Sequence, residues 1–230
     1  MSVYEKAREL LSDRGRVPVF PLPDMVFFPH ASLPLHIFEP RYRKMIIDAL
    51  ATDRLIAMAL LKPGWEESYG GSPEVYPIAG AGVIEAAVPL PDGRFNVRLR
   101  GIARVELVEF VQESPYRVAR VRILPDRFDR DGVDIEAEKH RLLTACAGLW
   151  QEMTGKPETA MAVHSDIPFE TAVNTLCQNL TMDLSKKLEL LAMDDVRERC
   201  RSLVDLLGQR WREISARKNT GAADADGKVH

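Results

Sequence analysis

The chain has 230 residues, 46% hydrophobic and 28% charged, and a formal net charge of −3. That length buries a sizeable core as one large domain or two modest ones. Near-balanced charge with no block of one sign argues against a generic nucleic-acid or membrane-surface binder.

Residues 1–14 are charged throughout, lack an apolar signal core and read as an N-terminal extension. From 15 to 125 short apolar runs are punctuated by Pro and Gly. The runs VPVF, LPLHIF, LIAMALL, AGVIEAAV, RFNVRLRGIARVELVEF and YRVARVRIL read as strands. Phe95, Val97 and Leu99 alternate with Asn96, Arg98 and Arg100, the period of a strand with one buried face. The strand can bend at Gly101, after which Val105 and Leu107 alternate with Arg104 and Glu106. Long, bent strands joined by turns such as Leu90-Pro-Asp-Gly-Arg94 indicate a curled sheet or small barrel.

One helix interrupts these strands. Pro40 suits a first helical position and disfavours helical geometry at Glu39. Tyr42, Met45, Ala49 and Leu50 form its apolar stripe, with Arg41 and Arg43 flanking Tyr42 toward solvent. Phe27 and Phe28 read as core. Between Lys62 and Gly80, Trp65, Tyr69 and Tyr76 sit among glycines and prolines in a long loop. Those aromatics would anchor a peptide or pin the loop on the sheet; residue type leaves both open.

From 126 to 217 helical spacing takes over. Stripes through Ile135, Leu142, Cys146, Leu149 and Met153, then Phe169 to Leu180, then Leu184 to Leu191, predict three helices. A fourth, capped by Asp194 or Asp195, carries Val196, Cys200, Leu203, Leu207 and Ile214. Residues 218–230 have neither period nor bulk and read as a disordered tail. Cys146, Cys177 and Cys200 form no CxxC pair and read as buried thiols in a cytoplasmic protein. The longest apolar run, Leu55 to Leu61, is far too short to span a membrane.

No catalytic constellation emerges. GLWQEMTGKP has too many residues between Gly148 and Gly155 for a phosphate loop, and Pro157 stands where a magnesium-binding hydroxyl belongs. The histidines show no metal-binding spacing; His36 should point from its strand's opposite face as an ordinary structural residue. Ser185 and Lys186 are adjacent on a helix and diverge by roughly 100°, so they make no dyad. No cofactor, metal or catalytic residue is therefore expected. Arg98, Arg100, Arg104, Arg117, Arg120 and Arg122 would form a cationic sheet face for RNA or acidic peptides. The better reading is a solvated face paired with Glu106, Glu109 and Glu113.

The stretch Val17 to Leu50, with its PLHIFEPRY core, resembles the N-terminal domain of Lon proteases. The resemblance continues through Gly80 to Glu109 and Leu176 to Leu207, covering roughly residues 15 to 215. It is strongest to stand-alone bacterial forms of this domain. It implies an α+β fold, with a PUA-like β-rich pseudo-barrel over 15–125 followed by a helical bundle subdomain over 126–217. It implies a non-catalytic module, lacking the ATPase and serine–lysine protease parts, that engages unfolded or partly folded protein segments or a protein partner. An RNA-binding PUA-like protein is the alternative. The expected contact surface combines Phe38, Glu39, Arg41, Tyr42 and Arg43 at the strand-to-helix turn with Trp65, Tyr69 and Tyr76 of the loop. Glu39 and the arginines would equally suit local pairing at the helix start.

Overall fold

The computed structural model describes residues 3–68, 70–127, 134–155 and 167–226. The fold is α+β, in two compact units: Met1–Asp126 with Asn174–Asp194, and Arg127–Val173 with Asp195–His230. The segment 174–194, which sequence spacing assigns to the helical part, thus belongs with the sheet.

The first unit opens with helix α1 (Val3–Arg14), whose Leu11 is fully buried against the sheet. Leu11 thus joins the sheet's core from within the expected N-terminal extension. Strands β1 (Arg16–Leu22), β2 (Ser32–Ile37), β3 (Leu55–Leu60), β4 (Ile78–Pro89), β5 (Phe95–Gln112) and β6 (Arg117–Leu124) form one sheet. Its order is β2-β5-β4-β3-β1-β6, and a further β5–β6 pairing closes five of the strands into a barrel. β1 and β3 are parallel; the other pairings are antiparallel. Val17, Val19, Leu55, Ala57, Val105 and Ala119 fill the interior.

β5 changes partner along its length. Phe95–Arg100 pairs with β2, and Arg104–Gln112 pairs with β6. The switch falls at Gly101, where a Cβ would lie 2.1 Å from the Phe28 carbonyl oxygen. At Gly80 a Cβ would lie 2.0 Å from the Phe27 carbonyl oxygen. Only glycine lets the backbone approach so closely. The residues between β1 and β2 accordingly strap across β4 and β5, burying Phe27 and Phe28 completely. Gln178 of helix α4 (Phe169–Asn179) holds this strap by accepting the Phe28 N–H at 3.0 Å. Helix α2 (Pro40–Leu50) buries Tyr42, Met45, Ile46 and Ala49, one face at helical spacing.

Arg104 corrects the sequence reading. It is 1% exposed, not on a solvated face. Its Nε donates to Asp126 at 2.6 Å and its Nη2 to Asp194 at 2.9 Å. The Leu191 and Pro125 carbonyls accept at 2.8 and 3.1 Å. The outward side of β5 is buried here, so period-2 alternation, which puts Arg104 in water, fails. Helix α5 (Leu184–Ala192) leads into the Asp194 contact.

In the second unit, Asp134 caps helix α3 (Ile135–Thr154) by accepting from the Ala137 N–H at 3.0 Å. Gly155, at φ 67°, ends it in the left-handed conformation. Asp195 accepts the Arg197 N–H at 2.7 Å at the start of α6 (Val196–Asp226). Of the two capping candidates Asp195 therefore caps, while Asp194 serves Arg104. Leu142, Cys146 and Leu149 of α3 are buried, as are Val196, Cys200, Leu203 and Leu207 of α6. The thiols of Cys146 and Cys200 are each pushed up to about 12, burial being the first cause. α6 runs on to Asp226, so helix replaces the expected structureless tail over 218–226, and 227–230 lie outside the described residues. Among the described residues no helix is long and apolar enough to cross a membrane.

Removing Arg104 empties a buried site and takes the donor from two carbonyls and from Asp126 and Asp194, whose side chains are 23% and 46% exposed. Arg104→Ala should cost about 3 kcal/mol or more in urea unfolding, the usual penalty for breaking a buried ion pair. A loss below about 1 kcal/mol would show that the cluster is only incidental.

Candidate functional site

The strand-to-helix turn forms an exposed corner. β2 ends at Ile37, buried, and the next side chain must then point outward; Phe38 is 60% exposed. Its ring stacks on His36 at 6.4 Å between centroids. His36 Nδ1 lies 2.8 Å from Asn96 Oδ1, and its Nε2 lies 3.1 Å from Arg94 Nη1. The Nδ1–H tautomer satisfies both by donating to Asn96 and accepting from Arg94. His36 pairs with Asn96, which pairs with Val88 of β4, itself 56% exposed. The same register sets Pro34 beside Arg98. An aromatic ring, an imidazole, a proline and a valine thus share one open face, rimmed by Arg94 and Arg98.

The remaining turn residues mostly support this corner. Glu39 pairs with Arg41 at 3.0 Å, each roughly three-quarters covered, which is the local pairing that the helix start allows. Tyr42 is only 3% exposed, its ring centroid 4.3 Å from that of Phe20. It offers no ring to a ligand, so its place among the contact residues is corrected: the helix stripe carries it into the core. Arg41 lies over that ring at 4.6 Å. Arg43 is half-buried against the β4–β5 turn, where a Cβ on Gly93 would meet its Nη2 at 2.1 Å, and so does not stand free in solvent.

The aromatic loop is separately pinned. Trp65 opens a 3-10 turn, Trp65–Ser68, and is half-buried; Tyr76 is half-buried and donates its N–H to the Leu60 carbonyl at 2.9 Å. Tyr69 lies outside the described residues. Ser72 donates to Glu113 at 2.6 Å, and Arg117 to the Pro73 carbonyl at 2.7 Å. The Ser72 and Arg117 ties lead to the β5–β6 end of the barrel, and the Tyr76 tie leads to the end of β3. Among the described residues none of these contacts joins the loop to Phe38.

The arginine face is paired, as cross-strand geometry favours. Arg120 meets Glu109 at 3.6 Å, Arg122 bonds Glu106, and Arg117 meets Glu113 at 3.1 Å. Arg98 and Arg100 share Glu85 at 3.2 and 3.1 Å. Arg117 departs from the solvated reading, being 9% exposed and stacked 3.6 Å over Phe110. Lys186 pairs with Glu189 at 2.8 Å, beside an exposed Ser185.

Pro34, His36 and Val88 are the residues that sequence reasoning missed. Alternation puts 34, 36 and 38 on one side of β2; that this side faces water depends on pairings with β5 and β4 that no local pattern reveals.

A family model described as "ATP-dependent protease La (LON) substrate-binding domain" matches residues 16–209. "Lon protease 2" of Myxococcus xanthus is 27% identical over 200 residues, covering 86% of this chain and 24% of its own length. The chain spans about a quarter of the length of such relatives. Among solved structures, the "N terminal domain of Mycobacterium avium complex Lon protease" superposes at a TM-score of 0.64 with 17% identity, over 84% of this chain and 98% of its own. A "Lon N-terminal domain protein from Xanthomonas campestris" gives 0.56 with 22% identity, over 83% and 97%. These two likenesses speak for the fold.

Tyr42→Ala should cost about 3 kcal/mol or more as a core cavity, whereas Phe38→Ala should shift stability by no more than about 0.5 kcal/mol; chemical denaturation of both variants checks the contrast. A pH titration tests the Tyr116–Asp48 bond of 2.8 Å. Burial first, then the Asp48 hydrogen bond, pushes the Tyr116 phenol up to about 12. Its stabilising contribution should be complete below the ordinary phenol range and be lost as pH rises toward that value. Asp48, held low by Lys44 and then by Tyr116, should lose its contribution as pH falls through its lowered pKa. Tyr116→Phe should remove the high-pH phase from an ultraviolet titration.

Proposed function

The chain belongs to the Lon substrate-binding domain family, and on that premise we propose that it engages exposed segments of unfolded or partly folded proteins through the Phe38 corner, without catalysis of its own. The observation that carries the proposal is Phe38: a large apolar ring, 60% exposed, in the turn between β2 and α2. Apolar exposure of this kind, rimmed by polar groups, marks interaction surfaces. Val88 widens the apolar area, and His36 fixes the ring from one side. The paired arginines lend no support to RNA binding, since their charge is already met by carboxylates. The half-buried Trp65 and Tyr76 are the second candidate for client contact.

The site needs no nucleotide, metal or nucleophile to do this. Binding energy would come from burying the Phe38 ring and Val88, and specificity would be broad because an aromatic face accepts many apolar side chains.

Phe38→Ala should weaken binding of fluorescein-labelled, reduced and carboxymethylated lactalbumin by about tenfold or more at an unchanged melting temperature. Equal affinity in a well-folded Phe38→Ala protein would remove the corner from consideration, and loss on Trp65→Ala instead would move the site to the loop.

A further inference from the structure

We infer that a client segment binds along the free edge of β2 as an added strand of the sheet; the inference rests on the client-binding reading above and supplies its geometry. Among the described residues β2 stands at the end of the strand order, with β5 as its sole strand partner. The Gly101 N–H donates to the Ala31 carbonyl at 2.9 Å, so that carbonyl faces β5, while the Ala31 N–H donates to the Phe28 carbonyl. In the β2–β5 register Leu33, Leu35 and Ile37 stand opposite Leu99, Val97 and Phe95, in step with Ala31 opposite Gly101. In an extended chain the N–H and C=O of one residue point together and alternate residue by residue. Leu33, Leu35 and Ile37 therefore bond toward β5, while Ser32, Pro34 and His36 turn their backbone groups away from the sheet.

Proline supports this phase. Pro34 has no N–H to give, and a proline inside a strand is tolerated where the N–H would face outward from an edge. Among the described residues nothing bonds to the outward N–H groups of Ser32 and His36. The side chains of Ser32, Pro34 and His36 are all exposed. Edge strands are commonly guarded by charged residues or by proline, and here Pro34 removes one outward donor while leaving its carbonyl and those of Ser32 and His36. β2, Ser-Leu-Pro-Leu-His-Ile, carries no Lys, Arg, Asp or Glu.

A row of outward main-chain donors and acceptors is complementary to another extended backbone and to little else. Main-chain bonding does not depend on the client's sequence, which suits a module that takes many clients. The exposed Phe38 ring at the end of the row provides the side-chain contact, favouring an apolar or aromatic residue there. Arg94, in the turn before β5, and Arg98 of β5 are already paired with Asp92 and Glu85, so they set no charge preference for the segment.

The test separates the outward backbone of His36 from its side chain, with carboxymethylated lactalbumin as the probe. His36→Ala keeps the N–H and loses the ring; His36→Pro loses both, and its missing N–H is one that the β5 pairing does not use. Compared with His36→Ala, which shares the loss of the ring, His36→Pro should bind about tenfold or more weakly. Equal affinities for the two variants would overturn strand addition while leaving client binding at Phe38 intact. Absence of probe binding by the parent would overturn both. Should His36→Pro fail to fold, amide hydrogen exchange on the parent protein decides. Saturating probe should slow exchange at Ser32 and His36 about tenfold or more; unchanged exchange at both, with probe bound, would overturn the inference. The same protection appearing with protein concentration alone would assign the edge to a second copy of this chain and overturn it equally.

Discussion

A fully buried guanidinium, that of Arg104, is the contact on which the remaining geometry depends. Its four hydrogen bonds reach Pro125 and Asp126 after β6 and Leu191 and Asp194 after α5. These are the places where the chain leaves the sheet unit and where the 174–194 segment ends. Apolar packing alone would leave the Leu191 and Pro125 carbonyls without the donor that Arg104 supplies. Arginine meets this need because its fork offers five donors in a plane.

From that anchor the order of the candidate site follows link by link. With 174–194 fixed against β5, Gln178 is in reach of the strap and accepts the Phe28 N–H. Lys187 holds Gln178 in turn, donating to its carbonyl at 2.6 Å. The strap then crosses the two bare backbones at Gly80 and Gly101 and delivers β2 to β5 in one register. Slippage by a single residue would turn Leu33, Leu35 and Ile37 outward. Phe38 is therefore exposed by construction: the register buries Ile37, Pro40 starts the helix, and the ring between them is left in water. A rigid support of this kind lowers the entropy lost on binding, which favours affinity at a small surface.

Much of this was legible in the letters. Period-2 alternation, Pro40 and the Pro-Asp-Gly turn located the strands, the helix start and the hairpin. Alternation failed at Arg104 because the cover over β5 comes from about 90 residues further along the chain, beyond any local pattern. It failed differently for the second unit, where α6 continues past Lys218 although its apolar stripe has ended. Lys218 still pairs with Glu152 at 2.9 Å, a contact between residues too distant in sequence for spacing to suggest. The aromatic loop and the turn looked like one surface because both are rich in rings. The contacts named above tie the turn to the Phe95 end of β5 and the loop to Leu60, Glu113 and Arg117.

The central claim is that clients bind at the edge formed by β2 and Phe38. Backbone amide chemical-shift mapping of the isotope-labelled protein, titrated with carboxymethylated lactalbumin, tests it most directly. The account expects the largest shifts at residues 32–38, with smaller ones at 94–98 and 86–89, and none in the 62–77 loop. Shifts concentrated in that loop or along α3 and α6, with 32–38 unmoved, would contradict it.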